Sequence, residues 1–132
     1  MRRIEHELGL VPVEYPTTRL LDASPRARAA DVNAAFADPS IRAIFATLGG
    51  DDQITVIPYL DASLAVADPK PFFGYSDNTN LLNWLCQAGV PGYYGGSTQV
   101  PLGAEPGGAD IHLRGLRAAL VDGGGVSLTD PA

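Results

Sequence analysis

Apolar residues in this chain form short runs separated by stretches with helical spacing. The clearest run covers residues 41–48, where Ile44 and Phe45 stand at the centre of a nearly continuous apolar segment. Such a run is typical of a parallel strand that is covered on both faces. Shorter apolar runs at residues 11–15, 71–73 and 90–94 predict three further strands.

Helical patterns lie between these runs. Ser24-Pro25 predicts a helix start, because serine is favoured at the N-cap and proline at the first helical position. A second helix carries a leucine stripe from Leu81 to Leu85 and stops at Gly89. Further helices are predicted at residues 1–8, 54–60, 61–66 and 111–120. This alternation predicts a three-layer α/β fold with a mostly parallel, doubly wound sheet.

Three turns rich in glycine or hydroxyl residues follow predicted strands, at residues 49–52, 74–77 and 95–98. The carboxyl ends of parallel strands meet at one edge of a sheet, where ligands bind in open α/β folds. Glycine turns also serve simply to connect strands with helices. Because three of them converge at one edge, we expect the functional site there.

Ser76 lies in the middle of the second turn, between a strand and a helix. A tight turn of this kind exposes its central side chain and directs the first backbone N–H groups of the helix at a ligand. A nucleophilic serine beside an oxyanion site needs this geometry. However, residues 76–79 are all good N-cap residues and could simply begin a helix. Asn78 also replaces the second glycine of a G-x-S-x-G turn, so both interpretations stay open on spacing alone.

Composition narrows the function classes. A chain of 132 residues corresponds to one domain, and its net charge of −6 with scattered basic residues argues against nucleic-acid binding. The single cysteine, Cys86, excludes an internal disulfide and offers no zinc-type spacing. No signal peptide or membrane-spanning run is visible, so the expected location is the cytoplasm.

Three ordered motifs resemble the LD-carboxypeptidase family of serine peptidases (type S66), which includes muramoyl-tetrapeptide carboxypeptidases and microcin C resistance peptidases. They occupy residues 46–52 (ATLGGDD), 73–79 (FGYSDNT) and 94–96 (YGG), and they look closer to the microcin-resistance branch. The resemblance implies a flavodoxin-like nucleophile domain over residues 1–121 that lacks the family's first strand. Residues 122–132 are then a linker or a frayed tail.

The resemblance also implies roles for residues of this chain. Ser76 matches the nucleophile, and the backbone N–H groups of Gly50 and Asp77 match the oxyanion donors. No metal or organic cofactor is implied. Further residues that match the substrate-binding region are Gly49, Asp51, Asn78 and Thr79.

The family completes its catalytic triad with a Glu and a His from a C-terminal domain, which these 132 residues do not include. His6 and His112 match neither position. The resemblance therefore implies the nucleophile domain of a peptidase that removes a C-terminal residue through an acyl-enzyme and is inactive alone. The expected partners are that C-terminal domain and a substrate, which is a small peptide such as a murein tetrapeptide or a peptidyl-nucleotide. The family also suggests a homodimer. Alternatives are a non-catalytic ligand-binding α/β module and a truncated gene remnant.

Overall fold

A computed structural model of the chain describes residues 2–96, residue 98 and residues 110–125. The α-helices are α1 (Arg2–Leu8), α2 (Pro25–Ala37), α3 (Ala62–Ala67), α4 (Thr79–Gln87) and α5 (Asp110–Arg117), and a π-helical segment follows at Ala118–Asp122. The strands are β1 (Ile44–Phe45), β2 (Phe72–Gly74) and β3 (Tyr93–Tyr94). Short 3₁₀ helices span Gln53–Thr55, Ile57–Tyr59 and Ser76–Asn78. None of the helices in these ranges is long and apolar enough to cross a bilayer.

The strands pair in the order β1-β2-β3, and both pairings are parallel. Ile44 is opposite Phe72, and Phe73 is opposite Tyr93. The predicted α/β class with a parallel sheet is therefore confirmed. Because β2 is the middle strand, its carboxyl end at Gly74 lies between the ends of its two neighbours.

Consecutive side chains of β2 enter different apolar clusters, as strand alternation requires. Phe72 joins one cluster with Phe36 of α2 and the leucines of α4. Phe73 joins a second cluster with residues of α1 and α5, and its ring stacks between those of the flanking strands. Helical residues thus pack on both faces of the sheet, with β2 between them.

The helix ends follow the local chemistry predicted from the sequence. Ser24 caps α2, and its side chain accepts a hydrogen bond from the Ala27 N–H at 3.3 Å. Asp61 caps α3 in the same way. Gly9 and Gly89 follow α1 and α4 with φ of 67° and 80°, the left-handed conformation that glycine adopts without steric cost.

The strand predicted at residues 11–15 is wrong. That segment forms no ladder, and Val11 and Val13 are 84% and 58% exposed. Pro12 also lacks the N–H that a paired strand would donate. Alternating apolar residues form a strand only where a neighbouring strand pairs with their backbone and another layer covers their side chains. Within the described structure this segment has neither.

The stretch at residues 54–60 also differs from its predicted helix, because it forms two 3₁₀ helices with i→i−3 bonds. Pro58 has no N–H to bond the carbonyl of Ile54, so an α-helix cannot continue through it. The predicted helix at 111–120 is confirmed as α5 and its π-helical extension. Most of the predicted tail at 122–132 lies outside the described residues.

Candidate active site

Ser76 begins the connection between β2 and α4. Tyr75 is extended, with φ −151° and ψ 179°, and Ser76 then adopts φ 61°. Among the described residues it is the only non-glycine residue with positive φ. This conformation is unfavourable for a residue with a Cβ and is concentrated at functional turns. The Ser76 side chain is exposed at the carboxyl edge of the sheet.

The glycine turn after β1 lies against this serine. A Cβ placed on Gly49 would be 3.4 Å from Ser76 Cβ and 3.5 Å from Ser76 Oγ. A Cβ on Gly50 would be 3.4 Å from Asp77 Oδ2. The structure therefore brings together two turns that the chain separates by more than twenty residues. A side chain at position 49 would fill the space beside the serine hydroxyl.

The Asp77 carboxylate is engaged on both oxygens. Oδ2 accepts a hydrogen bond from the Gln53 backbone N–H at 2.8 Å, and Oδ1 accepts one from Asn80 Nδ2 at 2.9 Å. Asp77 is the second residue of the 3₁₀ helix at Ser76–Asn78. Its backbone N–H therefore lies in a first turn, where no earlier carbonyl of the helix can accept it.

Asn78 and Thr79 hold the same turn through their side chains. Asn78 is buried, and its Nδ2 donates to the carbonyls of Leu48 at 3.0 Å and Tyr75 at 3.2 Å. Thr79 Oγ1 donates to the Ser76 carbonyl at 2.6 Å. These bonds fix the backbone on both sides of Ser76.

The remaining carboxylates near the glycine turn differ in their partners. Asp51 is exposed at the edge of the sheet. Asp52 forms a two-pronged ion pair with Arg28 of α2, at 3.0 Å and 2.6 Å. Sequence reasoning missed Arg28, because no local pattern links residues 24 positions apart. This pair ties the glycine turn to α2.

Tyr94 brings the third turn to the site. Its hydroxyl accepts a hydrogen bond from the Ser76 backbone N–H at 3.5 Å, while its side chain remains exposed. The backbone fixes this approach, because Tyr94 is opposite Gly74 and the Gly95 N–H donates to the Gly74 carbonyl at 2.9 Å. The motif at 94–96 indicated this turn but not the tyrosine contact. Ser97 lies outside the described residues.

The two histidines lie on the helices of the second cluster. His6 is exposed on α1 and His112 is exposed on α5, and these two helices contact each other. In the described part of the chain, the Ser76 backbone N–H donates to the Tyr94 hydroxyl, and the Ser76 carbonyl accepts from Thr79 Oγ1. Neither of these partners is an imidazole.

Comparison with known proteins identifies relatives of this chain. The family model for the LD-carboxypeptidase N-terminal domain, peptidase family S66, matches residues 1–95. The microcin C7 self-immunity protein MccF of Escherichia coli is 35% identical over 85 residues, which are 64% of this chain and 25% of that protein. A Vibrio cholerae protein named as a carboxypeptidase is 37% identical over 84 residues, 63% of this chain and 25% of that protein. The chain thus spans about a quarter of the length of these curated relatives.

Solved structures agree with the sequence matches. MccF in its apo state superposes with a TM-score of 0.71 and 31% identity, covering 74% of this chain and 30% of that one. An MccF-like protein from Bacillus anthracis strain Ames gives a TM-score of 0.70 and 34% identity, covering 77% and 31%. MccF has also been solved in complex with aspartyl sulfamoyl adenosine. The resemblance seen in the three motifs is confirmed, and the chain belongs to peptidase family S66, the LD-carboxypeptidases.

Proposed function

We propose that this chain is the nucleophile domain of a serine carboxypeptidase and that Ser76 is the nucleophile. The observation that carries the proposal is the exposed Ser76 with φ 61° directly after β2, with Gly49 beside its hydroxyl. A hydroxyl held at a strained strand-to-helix turn is accessible to a carbonyl carbon that approaches the edge of the sheet. Membership of family S66 supports this assignment.

In the proposed reaction, Ser76 Oγ forms a bond to the carbonyl carbon of the last peptide or amide linkage while its proton passes to a base. The carbonyl oxygen becomes negative and is stabilised by the backbone N–H groups of Gly50 and Asp77. The C–N bond then breaks, and the leaving nitrogen takes the proton and departs with the C-terminal residue. Water hydrolyses the resulting ester and restores the Ser76 hydroxyl.

The base has to come from elsewhere, because the carboxylates beside Ser76 are poorly suited to the role. Asp77 is held by Gln53 and Asn80, and Asp52 is held by Arg28. A serine hydroxyl without a base is a weak nucleophile near neutral pH. We propose that a C-terminal domain supplies the Glu and His of the family's triad and that residues 1–132 alone turn over little substrate.

The proposed substrate is a short peptide or a peptidyl-nucleotide. The complex of MccF with aspartyl sulfamoyl adenosine supports the second class. Gly49 and the exposed Asp51 are proposed to contact the substrate directly. Asn78 and Thr79 are proposed to hold the turn that lies beneath the substrate, because their side chains donate hydrogen bonds to backbone carbonyls.

The test is complementation. Residues 1–132 are mixed with the separately expressed C-terminal domain of a family member, and release of the C-terminal residue is followed from a D-amino-acid-ending peptide and an aspartyl sulfamoyl nucleoside. We expect turnover in the mixture and its loss with Ser76→Ala. Ser63→Ala, which removes an exposed serine of α3, is the matched control and should leave the rate unchanged.

Three results would contradict parts of the proposal. Turnover that survives Ser76→Ala would exclude Ser76 as the nucleophile. Robust turnover by residues 1–132 alone would show that the chain contains its own base, although a remnant of about 10³–10⁴-fold over water is expected without one. Tight ligand binding with no turnover in the mixture would favour a non-catalytic binding module.

A further inference from the structure

We infer that Asn78 is a positioning residue whose side-chain amide joins the turn of Ser76 to the turn of Gly49 and Gly50. It thereby sets the distance between the hydroxyl and the Gly50 N–H. The catalytic consequence of this inference rests on the function proposed above. The structural part of it, the connection between two turns, stands on the contacts alone.

The hydrogen bonds of Asn78 reach both turns at once. Its Nδ2 donates to the Leu48 carbonyl at 3.0 Å and to the Tyr75 carbonyl at 3.2 Å. Leu48 immediately precedes the glycine pair, and Tyr75 immediately precedes Ser76. A primary amide has two N–H donors, so one can serve each turn. The two backbone segments are therefore held at a separation fixed by a single NH₂ group.

The burial of Asn78 makes this connection strong. Asn78 is only 4% exposed, and a buried amide that lost its partners could not recover them from water. The surrounding backbone is fitted to this side chain. A Cβ on Gly74 would be 2.8 Å from Asn78 Cβ, closer than real Cβ atoms approach, so a side chain at position 74 would force its neighbours to shift.

Asp77 provides a second connection at the far end of the same glycine turn. Its Oδ2 accepts the Gln53 N–H at 2.8 Å, while Asn78 holds Leu48. The segment 48–53 is thus held at both ends by the two residues that follow Ser76. Gly49 and Gly50 lie between these points, and glycine has the widest choice of backbone conformations. Fixing both ends restricts the positions that the Gly50 N–H can take.

Substitution of Asn78 should therefore release the glycine turn without touching the substrate. Asn78→Asp keeps the shape but places an acceptor against two carbonyl oxygens, and Asn78→Ala removes the connection. Losing one oxyanion donor costs about 10²–10³-fold in kcat. We expect kcat of the complemented enzyme to fall by up to about that factor, with KM changed by less than about threefold, because the lost interaction acts in the transition state.

Three measurements test the inference. In wild-type residues 1–132, labelled with ¹⁵N, the Asn78 side-chain NH₂ should exchange with solvent more slowly than that of Asn83, which is exposed on α4. In the variants, the amide signals of Gly49 and Gly50 should shift, and Asn83→Asp should leave them in place. In the complemented enzyme, kcat should fall while KM is retained.

Phe36→Leu is the control for a general loss of stability. Phe36 is 1% exposed in the core, so this change should lower Tm without moving the glycine amides or kcat. The inference is overturned if the Asn78 NH₂ exchanges as fast as that of Asn83, a measurement that needs no variant to fold. It is also overturned if folded Asn78→Ala leaves the glycine amides unmoved, or leaves kcat unchanged. If the wild-type mixture shows no turnover, the proposed function fails while the two NMR measurements still decide whether Asn78 joins the turns.

Discussion

Residues 71–88 lie at the centre of the molecule, whereas residues 10–22 lie along its outside. In the first segment, β2 has a hydrogen-bonded strand on each side, and its phenylalanines enter two apolar clusters. In the second, Val11 and Leu21 are almost fully exposed. The difference is one of partners, because a strand is stable only where its backbone groups and its apolar face are both covered.

The outer segment is held instead by polar side chains. The Thr17 N–H and Oγ1 both donate to Asp31 Oδ2 of α2, at 2.7 Å and 2.6 Å. Glu14 and Arg19 form an exposed ion pair within the segment. The central segment should therefore be sensitive to changes of volume, and the outer one to changes of charge and hydrogen bonding.

The largest effect is expected from Leu81→Ala compared with Val13→Ala. Leu81 is 0% exposed, so its truncation should lower the free energy of unfolding by about 2–5 kcal/mol. The Val13 side chain is mostly in water, and its truncation should change that free energy by no more than about 0.5 kcal/mol. Urea unfolding with a common m-value measures both. A loss of similar size at Val13 would show that the outer segment is covered after all.

An intermediate effect is expected from Gly74→Ala, with Gly124→Ala as its control. The new methyl at position 74 would meet Asn78 Cβ at 2.8 Å and a ring atom of Phe72 at 3.1 Å. We expect a loss of about 1–3 kcal/mol from overpacking. Nothing lies within 4 Å of a Cβ on Gly124, so that variant should be close to neutral. Thermal unfolding of the two variants measures this difference. Equal Tm values for Gly74→Ala and Gly124→Ala would contradict the close fit between Gly74 and Asn78.

The smallest effect is expected from Arg19→Ala and concerns pH. The hydrogen bond from Arg19 lowers the pKa of Glu14 below its ordinary value of 4.5. Because the folded pKa is the lower one, the stabilisation is complete well above pH 4.5 and is lost as the pH falls through the folded pKa. The two proteins should thus differ slightly at neutral pH and become equal in acid.

An NMR titration of the Glu14 carboxyl measures this shift directly. In Arg19→Ala the midpoint should move up toward the ordinary value, and added salt should reduce the difference between the proteins. An unchanged midpoint would mean that the ion pair does not persist in solution.

Local chemistry accounts for the features that the sequence predicted correctly. Ser24 and Gly89 mark helix ends through bonds to their own neighbours, and the strand–turn–helix pattern places Ser76 at the carboxyl edge. The parallel sheet then brings the glycine turn to the same edge. The inward direction of Asn78 and the pair of Arg28 with Asp52 could not be predicted, because both depend on how distant segments approach each other.

The positive φ of Ser76 bears on which residues could replace it. Glycine would adopt φ 61° without steric cost, so a sequence shaped only by stability would carry glycine there. A residue with a Cβ gives up about 1–2 kcal/mol in this conformation. Serine at this position therefore represents a trade of stability for a hydroxyl group. Alanine would keep the strain and remove the oxygen, whereas glycine would remove the same oxygen and relieve the strain as well.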